Sequence, residues 1–275
     1  MSTNEEIVLA AESGLADLQI AEVWRHRDLL RYLAVRDIHM AYANTSIGMF
    51  WVLLQPLATA LVLTVVLGIL IRVPTGGVPY PLVVLSAYPF WIYFNNVVTR
   101  SANSMSANAH LLTKVYFPRA IIVLVPLVAG LLDLLVLLGV VLLAAPFFGV
   151  FPALSWLALI IPIMLTIVLA LGMGLCLSLL TVNVRDIGHG LPVMLQVGLY
   201  LTPVIYPIAL VPDNWRWLYD LNPMVGVVET ARWALLGASE FPAYAFTASL
   251  VVSVLALVGG VIFFRILEDA TADLI

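Results

Sequence analysis

Charge is what this sequence has least of. Of 275 residues, 10% are charged and 63% are hydrophobic, whereas a soluble domain carries about 25% charged and about 45–50% apolar residues. That balance excludes an ordinary water-soluble fold and implies a membrane protein. Lysine occurs once, at Lys114, and cysteine once, at Cys176. A phosphate-cradling P-loop needs GxxxxGK[ST], and Lys114 follows Thr113 with no glycine frame, so the chain is not itself a Walker-type ATPase. A single cysteine excludes an intramolecular disulfide and a cysteine metal cluster. Within the apolar run LGMGLCLS, Cys176 reads as a small residue packed between helices. HExxH, GxSxG and paired-cysteine motifs are missing as well. His26, His39, His110 and His189 are scattered, so neither a catalytic residue nor a metal site is expected. No basic run exists to track phosphates, and the net charge of -4 gives no reason to expect nucleic acid. The opening MSTNEEIVLAAESG is acidic where a secretory signal needs a basic start, so insertion is expected to depend on internal spans.

Long apolar runs are what the sequence has in their place. A membrane-crossing helix needs about 20 mostly apolar residues. Six stretches meet this: 46–71, 81–98, 120–148, 153–182, 191–211 and 243–266. The second is the weakest, because YPFWIYFNN mixes polar groups into it. Strands are a poor alternative, since period-two alternation is missing and the runs exceed a barrel strand. The fold class is therefore all-α, an integral membrane protein of six transmembrane helices. Lys and Arg near the span ends orient it. Arg25, Arg27, Arg31, Arg36, Arg100, Lys114, Arg119, Arg185 and Arg265 fall on one side, against Arg72, Arg216 and Arg232 on the other. The richer side is the cytoplasmic one, and with six spans both termini lie there.

Two segments fall outside that count. Residues 21–43 mix arginines with Trp24, Leu29, Leu30, Leu33 and Ile38, which suits an amphipathic helix on the cytoplasmic surface with its arginines toward lipid phosphate. A solvated helix that only supplies topological charge is the plainer reading. Residues 212–237 contain apolar stretches broken by Asp220, Pro223, Glu229 and Arg232. They read either as short re-entrant helices dipping into the outer half of the membrane, or as a flat interfacial helix anchored by Trp215, Trp217 and Trp233.

Few polar groups lie inside the spans. Asp133, in AGLLDLLVLL, costs about 2.5–3.5 kcal/mol at a helix centre. It reads more readily as a protonated or hydrogen-bonded residue joining helices, through Asn95, Asn96 or Thr99, than as a proton-coupling or pore site. Asn96, Arg100 and Asn103 recur at i, i+4 and i+7, on one helix face that lines a hydrated path or pairs with a neighbouring helix. Phe50, Trp51, Tyr88, Phe90, Trp91, Tyr93, Phe94, Tyr200 and Tyr206 have two readings: faces that stack on sugar rings, or an interfacial belt and helix packing. For any single one of them packing is the commoner role. Gly172, Gly174 and Cys176 offer small residues at helical spacing for close packing, and Pro56 and Pro162 suggest kinks.

The loops resemble those of one family. NTSIGMFWVLLQPL at 44–57, SANAHLLTKVYFPR at 106–119, NVRDIGHGLPVMLQ at 183–196, TPVIYP at 202–207 and LNPMVGVVETARWALLG at 221–237 occur in order. In these stretches the chain is similar to the permease subunit of bacterial ABC-type polysaccharide exporters, the O-antigen and teichoic acid group. The resemblance implies a homodimer with two copies of a separate ATPase that holds ATP and Mg, no cofactor on this chain, and an undecaprenyl-linked glycan moving through the bacterial inner membrane. It implies an N-terminal arm (1–45), a six-span domain (46–266) with a coupling loop at about 101–119 and an outer gate at about 212–237, and a C-tail (267–275). Asn103, Asn108, His110, Lys114, Tyr116, Phe117, Arg119 and Arg185 would face the ATPase. Phe50, Trp51, Tyr88, Trp91, Tyr93, Asn96, Arg100, Tyr200 and Tyr206 would contact the glycan, and Trp215, Arg216, Trp217, Asn222, Pro223, Glu229 and Arg232 would form the gate. Thr113 stands where the family often has the first of two basic residues. Rival readings are a proton-coupled secondary transporter using Asp133, and a drug or lipid exporter of the same superfamily.

Overall fold

The computed structural model describes residues 20–43, 48–115, 117–237 and 240–271, and among them every regular element is helical. The arm holds α1 (Ile20–Arg25) and α2 (Arg27–Tyr42). Next come α3 (Trp51–Leu63), which continues as a π-helical stretch over Thr64–Leu70, then α4 (Tyr80–Leu85) and α5 (Tyr88–Ala102). Two single turns, α6 (Ser104–Ala107) and α7 (Ala109–Leu112), lead to α8 (Ala120–Ala144). The rest is α9 (Ile160–Asn183), α10 (Arg185–Leu201), α11 (Asp213–Asp220), α12 (Pro223–Leu236) and α13 (Ala243–Thr271).

Among the described residues, five helices are long and apolar enough to cross a membrane: Trp51–Leu70, Tyr80–Ala102, Ala120–Phe148, Leu154–Asn183 and Ala243–Glu268. They match five of the six expected stretches. The remaining one, 191–211, is displaced. Its helix starts six residues early at Arg185 and stops at Leu201, and its 17 residues reach about 26 Å against a hydrocarbon core of about 30 Å. Proline is the cause: Thr202 precedes Pro203 and is extended, with φ -106° and ψ 137°. Hydropathy runs on through 202–211 because the irregular chain there stays apolar.

Proline also shapes the second span. Pro89 has no N–H to give the Leu85 carbonyl, so the helix breaks between α4 and α5. At that break Ala87 N turns to the Val84 carbonyl at 3.1 Å, and the Val83 carbonyl accepts from Ser86 Oγ at 3.0 Å. The expected kink at Pro162 has a different setting. Pro162 lies in the first turn of α9, where a missing N–H costs nothing, after a 3-10 stretch over Leu154–Leu159.

The second span is the hub. Its central window is 78% buried, against 11% for the first span, which lies at the edge of the bundle. Glycines let α13 reach the others. A Cβ on Gly260 would sit 2.2 Å from the Gly172 carbonyl oxygen, and one on Gly226 would sit 2.2 Å from that of Ala245. The α9–α13 and α12–α13 crossings therefore bring backbone against backbone.

The arm departs from expectation. Leu33 packs with Phe117, Ile121, Ile122 and Val125, and nine residues later the Tyr42 hydroxyl donates to Asp133 Oδ1 at 2.7 Å. Asp133 lies 13 residues into α8, about 20 Å along its axis. So α2 runs lengthwise beside α8 instead of lying flat with all its arginines toward lipid. Arg25, Arg27 and Arg31 do stay exposed, but Arg36 turns inward to Asp37.

The segment 212–237 divides between its two readings. No residue of α11 is buried, and Trp215 and Trp217 are exposed, as a flat interfacial helix requires. Ten of the 14 residues of α12 are buried, which is the condition for a short helix end to lie at membrane depth.

Candidate functional site

A cleft of about 260 Å3 opens among α3, α5 and α8 beside the end of α2, lined by Tyr42, Trp51, Gln55, Tyr88, Trp91, Asn95, Asn96 and Asp133. Four aromatic side chains, three side-chain amides and a carboxylate thus meet inside an otherwise apolar bundle. Tyr42 closes one side through its bond to Asp133. Burial, and after it the hydrogen bond to Asp133, push the Tyr42 phenol well above its ordinary value, so it stays a donor throughout the physiological pH range. Asn95 accepts from Thr99 Oγ1 at 3.4 Å, while Asn96 is exposed to the cleft.

Of the expected channel residues, the fold brings together Trp51, Tyr88, Trp91 and Asn96, with Asp133 beside them. Trp91 is largely covered, against Phe94 at 5.8 Å between centroids and against the α10 backbone at Gly198. The others lie elsewhere. Tyr93 is buried against Gly130 and donates to the Leu127 carbonyl at 3.1 Å, which makes it core. Phe50 and Tyr200 are exposed outside the cleft. Tyr206 donates to the Tyr200 carbonyl at 2.8 Å and lies 3.3 Å from the Tyr219 hydroxyl. With Trp215, Tyr219, Leu67 and Val73 it lines a second cleft of about 550 Å3 at the opposite end of the bundle from the arm. Asp133 does join helices, but its partner is Tyr42 and not Asn95, Asn96 or Thr99. That pairing spans 91 residues of sequence and has no local signature; Gln55 and Asn95, amides inside apolar runs, did carry a readable signal.

Arg100 belongs to a charge network. It donates to Asp37 Oδ2 at 2.7 Å, while Arg36 reaches Asp37 Oδ1 at 3.3 Å and Asn108 Oδ1 at 3.4 Å. The network borders a cavity of about 350 Å3 that also touches Asn103 and Ser104. The face of Asn96, Arg100 and Asn103 therefore does both things open to it: its outer part lines the cleft and its inner part pairs with α2.

At the arm end, the coupling loop folds as two single turns, α6 and α7. Asn103, His110 and Lys114 are exposed there, as is Arg185 at the start of α10. Asn103 Oδ1 lies 3.5 Å from where a Cβ on Gly188 would be, so the two loops adjoin. Asn108 is tied to Arg36 and to the Ser104 carbonyl at 2.9 Å. Phe117 is buried, and Arg119 donates to the Glu268 carbonyl at 2.6 Å, which fixes the end of α13. Tyr116 lies outside the described residues. Pro118 opens α8, its carbonyl accepting from Ile121 N at 3.0 Å.

At the far end, Asn222 caps α12. Its side chain accepts from Met224 N at 3.1 Å and donates to Thr202 Oγ1 at 2.9 Å, with Pro223 in the first turn. Arg232 is buried and donates to Glu229 at 2.9 Å and to the carbonyls of Val83 and Val204 at 3.2 and 3.1 Å. Arg216 makes only a long 3.5 Å contact with Asp213.

Comparison with known proteins places this geometry in context. Residues 28–236 match the sequence model of the family described as ABC-2 type transporter. The chain is 28% identical to the O-antigen export system permease protein RfbA of Myxococcus xanthus, over 76% of this chain and 80% of that protein. It is 26% identical to the protein of the same name from Klebsiella pneumoniae, over 74% and 79%. Identity to the polysialic acid transport protein KpsM of Escherichia coli is also 26%, over 74% and 80%.

Proposed function

The chain belongs to the ABC-2 type transporter family, and from that membership we propose that it is the channel-forming permease subunit of an ATP-driven exporter of a lipid-linked cell-surface polysaccharide. It is a multi-pass membrane transport component, not an enzyme. The relatives named for O-antigen export and polysialic acid transport support a glycan as cargo. The observation that carries the reading is the cleft of aromatic rings and amides inside an apolar bundle, since rings stack on sugar faces and amides exchange hydrogen bonds with hydroxyls.

In this reading two copies of the chain work with two copies of a separate ATPase subunit, which holds ATP and Mg, in the bacterial inner membrane. The arm end faces the cytoplasm. There Asn103, His110, Lys114 and Arg185 dock the ATPase, and Phe117, Asn108 and Arg119 hold the docking surface in shape. Closure of the ATPase pair on ATP moves the bundle because the docking surface contacts the closed and open pairs differently. At the far end, α11 and α12 guard the exit beside the aromatic cleft of Tyr206, Trp215 and Tyr219. The partner of Asp133 is a phenol, which keeps its proton at physiological pH, and this weighs against a proton relay.

Deletion of the chain in its host tests the proposal. Surface glycan should disappear while lipid-linked polymer accumulates inside, and a stable complex should purify with the co-expressed ATPase. Normal surface glycan would point to a drug or lipid exporter. Transport by the chain purified without an ATPase would overturn the ATP-driven mechanism.

A further inference from the structure

Resting on the glycan-export reading, we propose that Asp133 is the hydroxyl acceptor of a sugar-binding subsite inside the membrane, occupied by Tyr42 when no sugar is present.

A carboxylate is more than Tyr42 needs. Two other tyrosines of this bundle are satisfied by main-chain carbonyls, Tyr93 by Leu127 on the same helix as Asp133 and Tyr80 by Ile205. An aspartate at mid-span costs about 2.5–3.5 kcal/mol where a carbonyl costs nothing, so satisfying a phenol does not explain it. A carboxylate offers about four acceptor sites, and one phenol hydrogen takes one of them. Asp133 is half-buried and on the cleft wall, where further hydroxyls reach it.

The surroundings select the ligand class. Trp51 offers an exposed ring for the C–H side of a sugar, with the mostly buried Tyr88 also on the cleft wall, and Gln55 and Asn96 offer both donors and acceptors for its hydroxyls. The cleft, at about 260 Å3, lies just below the range of about 300–1,000 Å3 for pockets that enclose a drug-sized ligand. It suits one ring at a time of a passing polymer. An anionic sugar is disfavoured by the carboxylate. A cation is disfavoured because Arg100 shares the small adjoining cavity with Asp133. The ligand is therefore a neutral, hydroxyl-rich ring, and the exchange is between two hydroxyl donors, phenol and sugar, on one acceptor.

The test uses the full transporter in its host, with surface glycan, complex yield and Tm measured for Asp133→Leu, Asp133→Asn and Tyr42→Phe. Asp133→Leu and Tyr42→Phe break the same hydrogen bond, and Tm and complex yield verify that each variant is folded. Only the first removes the acceptor, and it should cut export by about tenfold or more, the factor carried by a hydrogen bond to a charged group. Tyr42→Phe should lower export by less than about threefold, and Asp133→Asn, whose amide oxygen still accepts, should fall between the two. Equal export losses for Asp133→Leu and Tyr42→Phe would overturn the proposal in favour of a helix joint. Asp133→Asn as defective as Asp133→Leu would overturn it in favour of a proton or cation site. Failure of the glycan reading itself appears separately, as normal surface glycan in the strain lacking the chain.

Discussion

Arg232 sits at a break in one helix and gives a carbonyl there a second donor. Pro89 interrupts the second span, the Val83 carbonyl loses its regular partner, and the Arg232 guanidinium joins Ser86 Oγ in replacing it while bridging to Val204 and Glu229. A planar fork of donors serves three acceptors in fixed directions, which the point charge of lysine would not do. Arg232→Met would leave a largely buried carboxylate unpaired and take one donor from each of two carbonyls. The expected loss is about 3–5 kcal/mol, read as a fall in Tm of the detergent-purified protein. Adding Glu229→Gln should restore part of it, because the uncompensated charge is then gone. Melting of Arg232→Met at the original temperature would show that the buried pair contributes nothing. The sequence marked Arg232 and Glu229 as unusual and offered their i, i+3 spacing. It held no sign of Val83 or Val204, since carbonyl partners are 149 and 28 residues away and carry no residue-type signature.

Helices show how far hydropathy reads and where it stops. Length and apolarity located five spans to within a few residues, because those quantities are properties of the segment itself. They misplaced the helix at 185–201, because an irregular apolar chain and an apolar helix have the same hydropathy. They also missed the course of α2, whose position depends on Leu33 meeting Phe117 and Tyr42 meeting Asp133. Small residues in the fourth span did signal close packing, and the partner on α13 supplies an internal control. Gly260 would place a Cβ 2.2 Å from the Gly172 carbonyl oxygen, while adjacent Gly259 has nothing within 4 Å. Gly260→Ala should force the two helices apart and lower Tm clearly. Gly259→Ala should leave Tm unchanged or raise it, since alanine favours a helix over glycine by about 1 kcal/mol. Equal Tm values for the two variants would mean that the α9–α13 crossing is looser than backbone contact.

Across the whole molecule, the two ends of the bundle are built for different tasks. The far end is closed by buried polar links, through Arg232, Asn222 and Tyr80. The arm end leaves Asn103, His110, Lys114 and Arg185 exposed on adjoining loops, with the residues that brace them turned inward. The sequence placed all of these in one set because it could assign them only to the same loops; sorting exposed from bracing requires the side-chain directions that folding supplies. A docking role and a structural role then predict different failures. Lys114→Glu changes an exposed charge, so Tm should hold, while recovery of the co-expressed ATPase and surface glycan should both drop. Phe117→Ala removes a buried ring from the α2–α8 cluster and should cost about 3–5 kcal/mol of stability, with ATPase recovery falling only as the fold does. Surface charges couple through distance and salt, so the Lys114→Glu defect should grow at low ionic strength, where reversed charge repels the partner most strongly. Full ATPase recovery and full export with Lys114→Glu at low salt would reduce the only lysine of the chain to a charge that orients the spans.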